Sequence, residues 1–415
     1  MRNKSNTSLE KAAAACIVLS GLLVSGSAKA QLTVDTLTGG INTITTAVPF
    51  LMIGPDARAG GMGDAGVAST PDPNSGHWNA AKFAFIKDTP LEKGKGSSRD
   101  VGFSMSYIPW LRSLVPDINL AYISGYKVLK GGRVTQTVAG SLRYFSLGDI
   151  TFTDIVGNVT GNFNPNEFAV DFSYARMLSE NWSGGLSLRY IYSNLTGGFV
   201  VDGNPSHAGR SVAADVSGYY RKETEMFNRD VMFAYGIAIT NVGAKISYTQ
   251  NADRDFIPIN GRMGTSLLIK MDDFNKVMFL VDVNKLLVPT PPIYNSDGTI
   301  KKGYDPDRSI ASGIMASFYD APGGFSEELK EYNFSLGSEY WYDNQFAIRA
   351  GYFHEDATKG NRKYFTIGAG LKYHVFGLDF AYLIPTQQKH PLENTLRFTL
   401  VFDFGGLGAE NSGTE

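Results

Sequence analysis

The sequence has very little cysteine: its 415 residues include only Cys16, which lies in an apolar run close to the amino terminus. Once that run is removed the chain has no thiol, which excludes disulfides and cysteine-ligated metal sites. After residue 30 there is no run of 18 consecutive apolar residues, which excludes membrane-spanning helices. Glycine (46 residues) and aromatic residues (12%) are abundant and evenly spread.

Residues 1–30 have the three parts of a secretory signal peptide. A basic start over residues 2–11 is followed by an apolar run over residues 12–24 and a small-x-small cleavage site at residues 28–30. The run of about 13 residues falls short of the ~20 that a spanning helix needs, which disfavours an uncleaved anchor. Because Cys16 is not at the cleavage point, lipid attachment is not expected.

The mature chain carries a modest negative charge. Removing residues 1–30 takes away four basic residues and one acidic residue, which leaves 34 Lys and Arg against 39 Asp and Glu, a net charge of −5. This balance does not suggest a nucleic-acid-binding protein, and no nucleic-acid partner is expected. No change of composition resembles a linker, so we expect one large domain.

Side chains of alternating polarity recur along the mature chain. Over residues 396–404 every second residue is Leu or Phe, while the residues between them include Arg397, Thr399 and Asp403. Because strand side chains alternate between two faces, one face suits lipid and the other a polar interior. A soluble β-sandwich also alternates, but its outer face would be polar. The pattern therefore favours a membrane barrel.

The alternation predicts an all-β fold, a transmembrane antiparallel β-barrel of about 14 strands that spans residues 99–404. The predicted strands lie at residues 101–110, 117–129, 136–148, 167–178, 182–195, 211–222, 230–243, 260–271, 276–287, 332–343, 345–355, 363–375, 377–386 and 394–404. With both termini periplasmic, the even-numbered connections should be short and the outer ones longer. The long connections indeed fall on the outer side, near residues 149–166, 196–210, 244–259 and 288–331.

The face predicted to line the lumen carries charges of both signs, which can pair inside the barrel. These residues are Arg143, Asp171, Arg189, Asp215, Asp282, Glu339, Arg349, Lys372, Arg397 and Asp403. A barrel of 14 strands is too wide to be filled by its own side chains. We therefore expect residues 31–98, which are Gly-rich and lack alternation, to form a plug; a separate periplasmic domain is the alternative. Residues 405–415 would form a short tail.

The literal GxGxxG at residues 61–66 is a dinucleotide-binding motif only when it joins a strand to a helix in a βαβ unit. No βαβ pattern surrounds it, so close backbone packing is the better interpretation. The chain has no GxSxG, no HExxH and five scattered histidines, so we expect no enzyme activity, metal or cofactor. The residues His354, Glu355 and Asp356 are interpreted as a solvated strand tip.

The longest outer connection, residues 288–331, differs in kind from the others. Ile310, Ile314 and Phe318 recur at helical spacing, and residues 325–329 could start a second short helix. Loops of this length are uncommon unless they are functional. The loop could be a lid that closes the barrel mouth or an element that docks a partner. The docking hypothesis uses the apolar residues Ile310, Ile314, Phe318, Tyr319, Pro322 and Phe325.

Residues 54–82 resemble the amino-terminal signature of the PorV family, also called LptO, of the type IX secretion system. The signature runs through residues 54–58, 62–68, 71–75 and 78–82, and residues 319–325, 349–353 and 370–373 resemble later parts of the family. Ala80 departs from the Pro that the family usually has after Trp-Asn. On this resemblance the plug motif comprises Pro55, Asp56, Arg58, Gly61, Met62, Gly63, Asp64, Trp78, Asn79 and Lys82.

The resemblance implies a FadL-like barrel in the bacterial outer membrane, in contact with the lipid bilayer and lipopolysaccharide. Such a protein would receive the C-terminal signal domain of secreted cargo at a large translocon channel of the SprA or Sov type. It would then pass the cargo to a PorU-like sortase and other attachment-complex proteins. Two alternatives remain open: a FadL-like importer of hydrophobic small molecules, and a hydrolase acting on lipopolysaccharide, which only the second family name suggests.

Overall fold

The structure is a computed structural model. It describes residues 41–88, 90–91, 99–112, 115, 117–129, 134–153, 156, 159–198, 200–201, 204–226, 228–249, 254–388 and 390–405. The predicted signal peptide, residues 31–40, 89 and 92–98 of the predicted plug, and residues 406–415 of the predicted tail lie outside the described residues. No helix in the described part of the chain is long and apolar enough to cross a bilayer.

Fourteen antiparallel strands close into one barrel, in which the last strand pairs with the first. They are β1 (Arg99–Pro109), β2 (Asn119–Leu129), β3 (Gln136–Ser146), β6 (Asn166–Met177), β7 (Trp182–Asn194), β10 (Gly209–Met226), β11 (Arg229–Gly243), β12 (Asn260–Lys270), β13 (Asn275–Leu286), β16 (Asn333–Tyr342), β17 (Phe346–His354), β18 (Lys363–Tyr373), β19 (Phe376–Pro385) and β20 (Leu396–Gly405). All 14 predicted strands are confirmed. The largest difference is in β10, which was predicted to end at 222 and continues to Met226.

Six further strands form three small hairpins in the long connections, and the alternation did not predict them. They are β4 (Ile150–Thr153) with β5 (Val159–Phe163), β8 (Val200–Val201) with β9 (Asn204–Pro205), and β14 (Ile293–Tyr294) with β15 (Ile300–Lys302). Three of these strands, β8, β9 and β14, have two residues each, too short to show a period of two.

The burial of the strands confirms the predicted faces. Outward side chains are exposed, for example Leu188 at 62% and Ile348 at 66%. Most of the predicted lumen residues are buried, and opposite charges pair there: Arg189 pairs with Asp171 and Asp215. The alternation arises because one face meets an apolar surrounding and the other meets polar partners inside.

The two ends of the barrel differ. The short turns, such as residues 343–345 and 374–375, lie at the end where β1 starts and β20 finishes, which we name the short-turn end. The long connections lie at the opposite, long-loop end. The longest of them, between β13 and β16, contains α3 (Ile310–Ala316), α4 (Phe325–Glu328) and the 3₁₀ turn Leu329–Glu331. The predicted second helix in this loop is confirmed.

Residues 42–88, which we name the inner segment, run through the lumen from the long-loop end to the short-turn end. The backbone N–H of Asn42 donates to Thr358 O in the β17–β18 connection (3.0 Å). At the other end, Thr137 Oγ1 at the start of β3 donates to Phe83 O (2.9 Å). The chain from residue 42 therefore crosses the lumen before β1 begins at the short-turn end. The expected periplasmic position of the mature amino terminus concerns residues 31–40, which lie outside the described residues.

The inner segment has little regular structure. It contains the 3₁₀ turns Pro49–Met52 and Ala80–Phe85 and the single-turn helices α1 (Ala57–Gly60) and α2 (Ser75–Trp78). An apolar cluster near the long-loop end packs Phe50 and Leu51 against Ile108, Leu120 and Ile257. Apolar contacts thus hold the segment near the barrel mouth, and polar contacts follow below.

Candidate functional site

Asp56 ties two parts of the inner segment together. It precedes α1, and its carboxylate accepts a hydrogen bond from Ala59 N (2.8 Å), as an N-cap residue does. The same carboxylate accepts a bond from Trp78 Nε1 at 2.6 Å. The buried Trp78 ring leaves no room for a side chain at Gly66, where a Cβ would approach it to 2.5 Å. One carboxylate therefore fixes both the first helical turn and the tryptophan that packs beneath it.

Gly61 and Gly63 bring the backbone of the inner segment against the barrel wall. A Cβ on Gly61 would lie 3.1 Å from Gly368 Cα, and one on Gly63 would lie 2.6 Å from Tyr352 N. Gly63 also has a φ of +69°, and its amide donates to Thr366 Oγ1 at 2.9 Å. The GxGxxG motif therefore serves close packing, as the sequence analysis predicted.

The polar residues of the motif are bonded to the barrel or to the segment itself. Asp64 forms an ion pair with Arg397 of β20 and accepts a hydrogen bond from Tyr364 OH at 2.6 Å. Lys82 is fully buried, and its Nζ donates to Gly66 O (2.8 Å) and Ser69 Oγ (2.9 Å). Each charge thus has a partner that offsets its desolvation.

Asn79 caps the 3₁₀ turn Ala80–Phe85, whose first residue, Ala80, is the one that departs from the family pattern. Its Oδ1 accepts from Ala81 N (3.0 Å), and its Nδ2 donates to Val67 O (3.1 Å) and Gly218 O (3.0 Å). The side-chain cap sets the turn without a proline at residue 80.

The structure brings all ten predicted motif residues together inside the barrel. Pro55 is buried, and Met62 packs with Ala65, Leu268 and Met278 in an apolar cluster. Arg58 pairs with Glu339 of β16 and with Asp72. These residues hold the inner segment in place, and buried side chains are not free to contact a partner.

The long loop is anchored by a buried ion-pair network. Lys285 of β13 pairs with Glu328 (3.2 Å) and with Glu331. Lys359, from the β17–β18 connection, pairs with Glu331 (2.9 Å) and Glu327 (2.6 Å). Glu327 also accepts from Asn42 Nδ2 at 3.0 Å, which joins the inner segment to this network. Its bonds to Lys359 and Asn42 lower the pKa of the Glu327 carboxyl, although partial burial opposes them.

The anchored loop exposes large apolar side chains. We name as the apolar face Tyr304 (49% exposed), Met315 (67%), Phe318 (48%), Tyr319 (58%), Phe325 (76%) and Leu329 (54%). The rings of Tyr304 and Tyr319 meet edge to face, with centroids 6.2 Å apart. Exposed apolar groups on a loop held by buried ion pairs are typical of an interaction site.

Five of the six predicted docking residues divide into two groups. Phe318, Tyr319 and Phe325 belong to the apolar face, whereas Ile310 and Ile314 pack against the apolar cluster at the barrel mouth. Pro322 is half-buried. The helical spacing at 310, 314 and 318 identified mainly the buried side of α3.

Sequence reasoning missed three members of the apolar face, Tyr304, Met315 and Leu329. Met315 follows Ile314 directly, so it lies about 100° further around the helix. This offset could have indicated that Met315 lies on the side of the helix opposite the buried one. Tyr304 and Leu329 belong to no periodic pattern, so the sequence did not single them out.

Nothing in the described residues resembles a metal centre. Across these ranges, no group of three or more His, Cys, Asp and Glu residues is placed to hold a metal ion. In the tip at residues 354–356, Glu355 is buried and pairs with Arg362 (2.7 Å), while Asp356 accepts from Thr358 N (2.9 Å). Glu355 is thus not solvated as the interpretation of the tip assumed, because its ion pair allows it to be buried.

Comparison with known families decides the relationship of this chain. The family described as type IX secretion system protein PorV matches residues 38–293, which is more than half of the chain. The chain belongs to the PorV family. A PorV-family barrel is an outer-membrane protein of type IX secretion, which agrees with the resemblance found in residues 54–82. The match includes the inner segment and ends within the long loop.

Several solved structures are similar to this PorV-family chain, each at low identity. The toluene transporter TbuX of Ralstonia pickettii is 13% identical, with a TM-score of 0.42, over 85% of this chain and 98% of that one. A TodX monoaromatic hydrocarbon channel mutant is 11% identical, with a TM-score of 0.45, over 85% and 99%. A FadL homologue of Pseudomonas aeruginosa is 11% identical, with a TM-score of 0.38, over 88% and 100%. No curated protein matches the chain.

Proposed function

We propose that this outer-membrane protein of type IX secretion binds the C-terminal signal domain of secreted cargo at the translocon and shuttles it to the cell-surface sortase. The observation that carries the proposal is the apolar face on the anchored long loop. Its side chains would supply a binding surface, and the barrel itself would carry out no catalysis.

The chemistry of the apolar face suits a protein partner. Large aromatic side chains such as Phe325 and Tyr319 are the type that dominates binding energy at protein interfaces. The ion pairs of Lys285 and Lys359 hold the loop in one arrangement, which reduces the entropy that binding would cost. The long-loop end is also the end expected to face the cell exterior.

The experiment replaces Phe318, Tyr319 and Phe325 with serine in one variant and expresses it in a strain lacking the native protein. A matched control replaces Ile293 and Tyr294 with serine; these side chains are 45% and 52% exposed in a hairpin of the same loop. Surface-anchored cargo is quantified, and the barrel in the outer membrane is measured by immunoblot.

We expect the triple variant to leave the barrel at its normal level and to reduce anchored cargo at least tenfold, since three exposed contacts of about 1 kcal/mol or more are removed. The control should anchor cargo normally. Normal anchoring by the triple variant would overturn the role of the apolar face.

Import of hydrophobic small molecules is the other function considered. It requires an apolar path from the long loops into the lumen. A cavity of about 50 Å³ borders the inner segment, and its lining combines charged residues such as Asp64 and Arg262 with apolar ones such as Trp78 and Phe353. A cavity this small, with four charged residues in its lining, is not a continuous apolar path. Unchanged uptake of fatty acids or toluene in a null strain would exclude import.

A further inference from the structure

The wall of the barrel has glycines at points where the inner segment passes. On β7, β11, β16, β17 and β18, a Cβ on one glycine of each strand would lie 3.0 Å or less from a backbone atom of the inner segment. These residues are Gly185, Gly236, Gly337, Gly351 and Gly368. A glycine inside a strand weakens it and marks a place where another backbone approaches closely. The wall is therefore shaped to the backbone of this particular segment.

Polar contacts hold the inner segment from most of the circumference. Ten of the 14 strands exchange a hydrogen bond or an ion pair with it, namely β1, β2, β3, β7, β10, β12, β13, β16, β18 and β20. On β20, Thr399 Oγ1 accepts from Ala57 N (2.9 Å), and on β10, Ser217 Oγ accepts from Ala81 N (3.1 Å). These two strands are six apart in the closed barrel. The segment is thus held from nearly opposite sides.

Displacement of the inner segment would take partners away from buried charges of the wall. Asp282 of β13 accepts from both backbone N–H groups of residues 66–67, at 2.7 and 2.8 Å. Glu339 and Arg397 form ion pairs with side chains of the segment. All three wall residues are buried. A buried charge that loses its partner is strongly unfavourable, so displacement is opposed at several places at once.

From these observations we propose that the inner segment is a fixed core that keeps the lumen shut while the protein works. A barrel of this width would otherwise enclose open space. Partners are then handled only at the loops and on the outer wall, and no solute passes through the barrel. The inference does not depend on what the apolar face binds.

The test fixes the inner segment to the wall with disulfides in the complete barrel. After removal of the predicted signal peptide the chain has no cysteine, so introduced cysteines are the only thiols. One lock is Ala57→Cys with Thr399→Cys, and a second is Ala81→Cys with Ser217→Cys. In each pair a backbone N–H meets a side-chain oxygen, which places the two Cα atoms within about 7 Å, as a disulfide needs. The matched control, Ser106→Cys with Thr399→Cys, joins two neighbouring wall strands.

The locked variants are expressed in a strain that lacks the native protein. Thiol alkylation measures the fraction of disulfide, and a pair that stays reduced is replaced by the other lock. We expect the locked variants to anchor as much cargo as the wall-only control, with or without dithiothreitol. Loss of anchored cargo that the reductant reverses, and that the control does not show, would mean that the segment has to move. Normal anchoring in the null strain would contradict the cargo function alone.

Conductance across planar bilayers tests the closed lumen without reference to cargo. We expect the wild-type barrel to be silent. Gly351→Val should conduct, because its side chain takes the space of Gly63 N and displaces the inner segment. Gly140→Val is the matched control, since a Cβ there meets no atom closer than 3.5 Å. Circular dichroism checks folding, and Gly236→Val replaces a misfolded Gly351→Val.

Two conductance results would overturn the proposal. Openings of the wild-type barrel that a disulfide lock abolishes would show that the inner segment moves. A folded Gly351→Val barrel that stays silent would show that the segment is not what closes the lumen.

Discussion

Arg58 of the inner segment and Glu339 of β16 form a two-point ion pair inside the barrel. The Nε–Oε2 distance is 2.9 Å and the Nη2–Oε1 distance is 2.8 Å, and both side chains are buried. Glu339 is shared with Arg349 of the neighbouring strand, at 2.7 Å. One carboxylate thus links the inner segment to two strands of the wall.

Removing the charge of the Glu339 carboxylate should lower the stability of the barrel. Glu339→Gln leaves the buried guanidinium groups of Arg58 and Arg349 without the negative charge that they share. We therefore expect the free energy of unfolding to fall by about 3–5 kcal/mol. Guanidinium unfolding in lipid, followed by tryptophan fluorescence, measures it. As a control, Lys270→Met removes a pair with Asp273, which is 88% exposed, and should cost less than ~1 kcal/mol. Equal effects of the two substitutions would contradict the role assigned to Glu339.

Gly63 should not tolerate a side chain. Both Gly63 (φ +69°) and Gly298 (φ +83°) adopt positive φ, but a Cβ at Gly63 would meet Tyr352 N at 2.6 Å, whereas one at Gly298 meets nothing within 4 Å. Alanine at either position costs about 1 kcal/mol in backbone strain. We expect Gly63→Ala to cost about 1–3 kcal/mol more than Gly298→Ala in the same unfolding assay. A difference near zero would show that the inner segment can move away from the wall.

The ion pairs of Lys359 should control the mobility of the long loop. Lys359→Met leaves Glu331 and Glu327 with fewer partners, and breaking a buried pair costs about 3–5 kcal/mol. We expect faster cleavage of residues 288–331 by a protease. Lys245→Met is the matched control, because Lys245 pairs with Asp307 of the same loop, which is 76% exposed. If both variants are cleaved at the wild-type rate, these pairs do not anchor the loop.

Asp320 should make the loop more stable at mildly acidic pH. Burial raises the pKa of its carboxyl to about 6, and the charges of Glu328 and Glu331 raise it further. A carboxyl with a raised folded pKa favours folding when protonated, so its contribution appears as pH falls through 6 and is lost as pH rises. Lys285 and Lys359 also face this group of acids, through Glu328 and Glu331.

We therefore expect slower proteolysis of the wild-type loop at pH 5 than at pH 7.5. Asp320→Asn should remove most of the difference, because it stays neutral throughout. Glu327, whose pKa is lowered, remains ionised across this range and does not produce the effect. A wild-type loop that is more protected at pH 7.5 would reverse the predicted sign.

The strands of the barrel could be predicted from the sequence because the two faces of each strand meet different surroundings. Leu400 and Thr399 are adjacent in sequence, yet Leu400 is 37% exposed outside the barrel and Thr399 is fully buried inside. The residues of the inner segment gave no such period. Their grouping came from the family resemblance, and the structure shows that they form contacts with distant strands, such as Asp64 with Arg397.

The apolar face could be predicted only in part. Phe325 and Phe318 stood out as aromatic residues in a long loop, but Ile310 and Ile314 were included because helical spacing does not say which side of a helix is covered. The cluster that covers them includes Ile257 and Leu287, which come from other parts of the chain.

The sequence by itself determined the strand count, the two faces of the wall and the difference between short turns and long loops, because these depend on local periodicity and local length. The tertiary structure decided which charges pair, how the inner segment crosses the lumen and which loop residues remain exposed. Those features depend on residues that are far apart in sequence, such as Arg58 and Glu339, and only closure of the barrel brings them within hydrogen-bond distance.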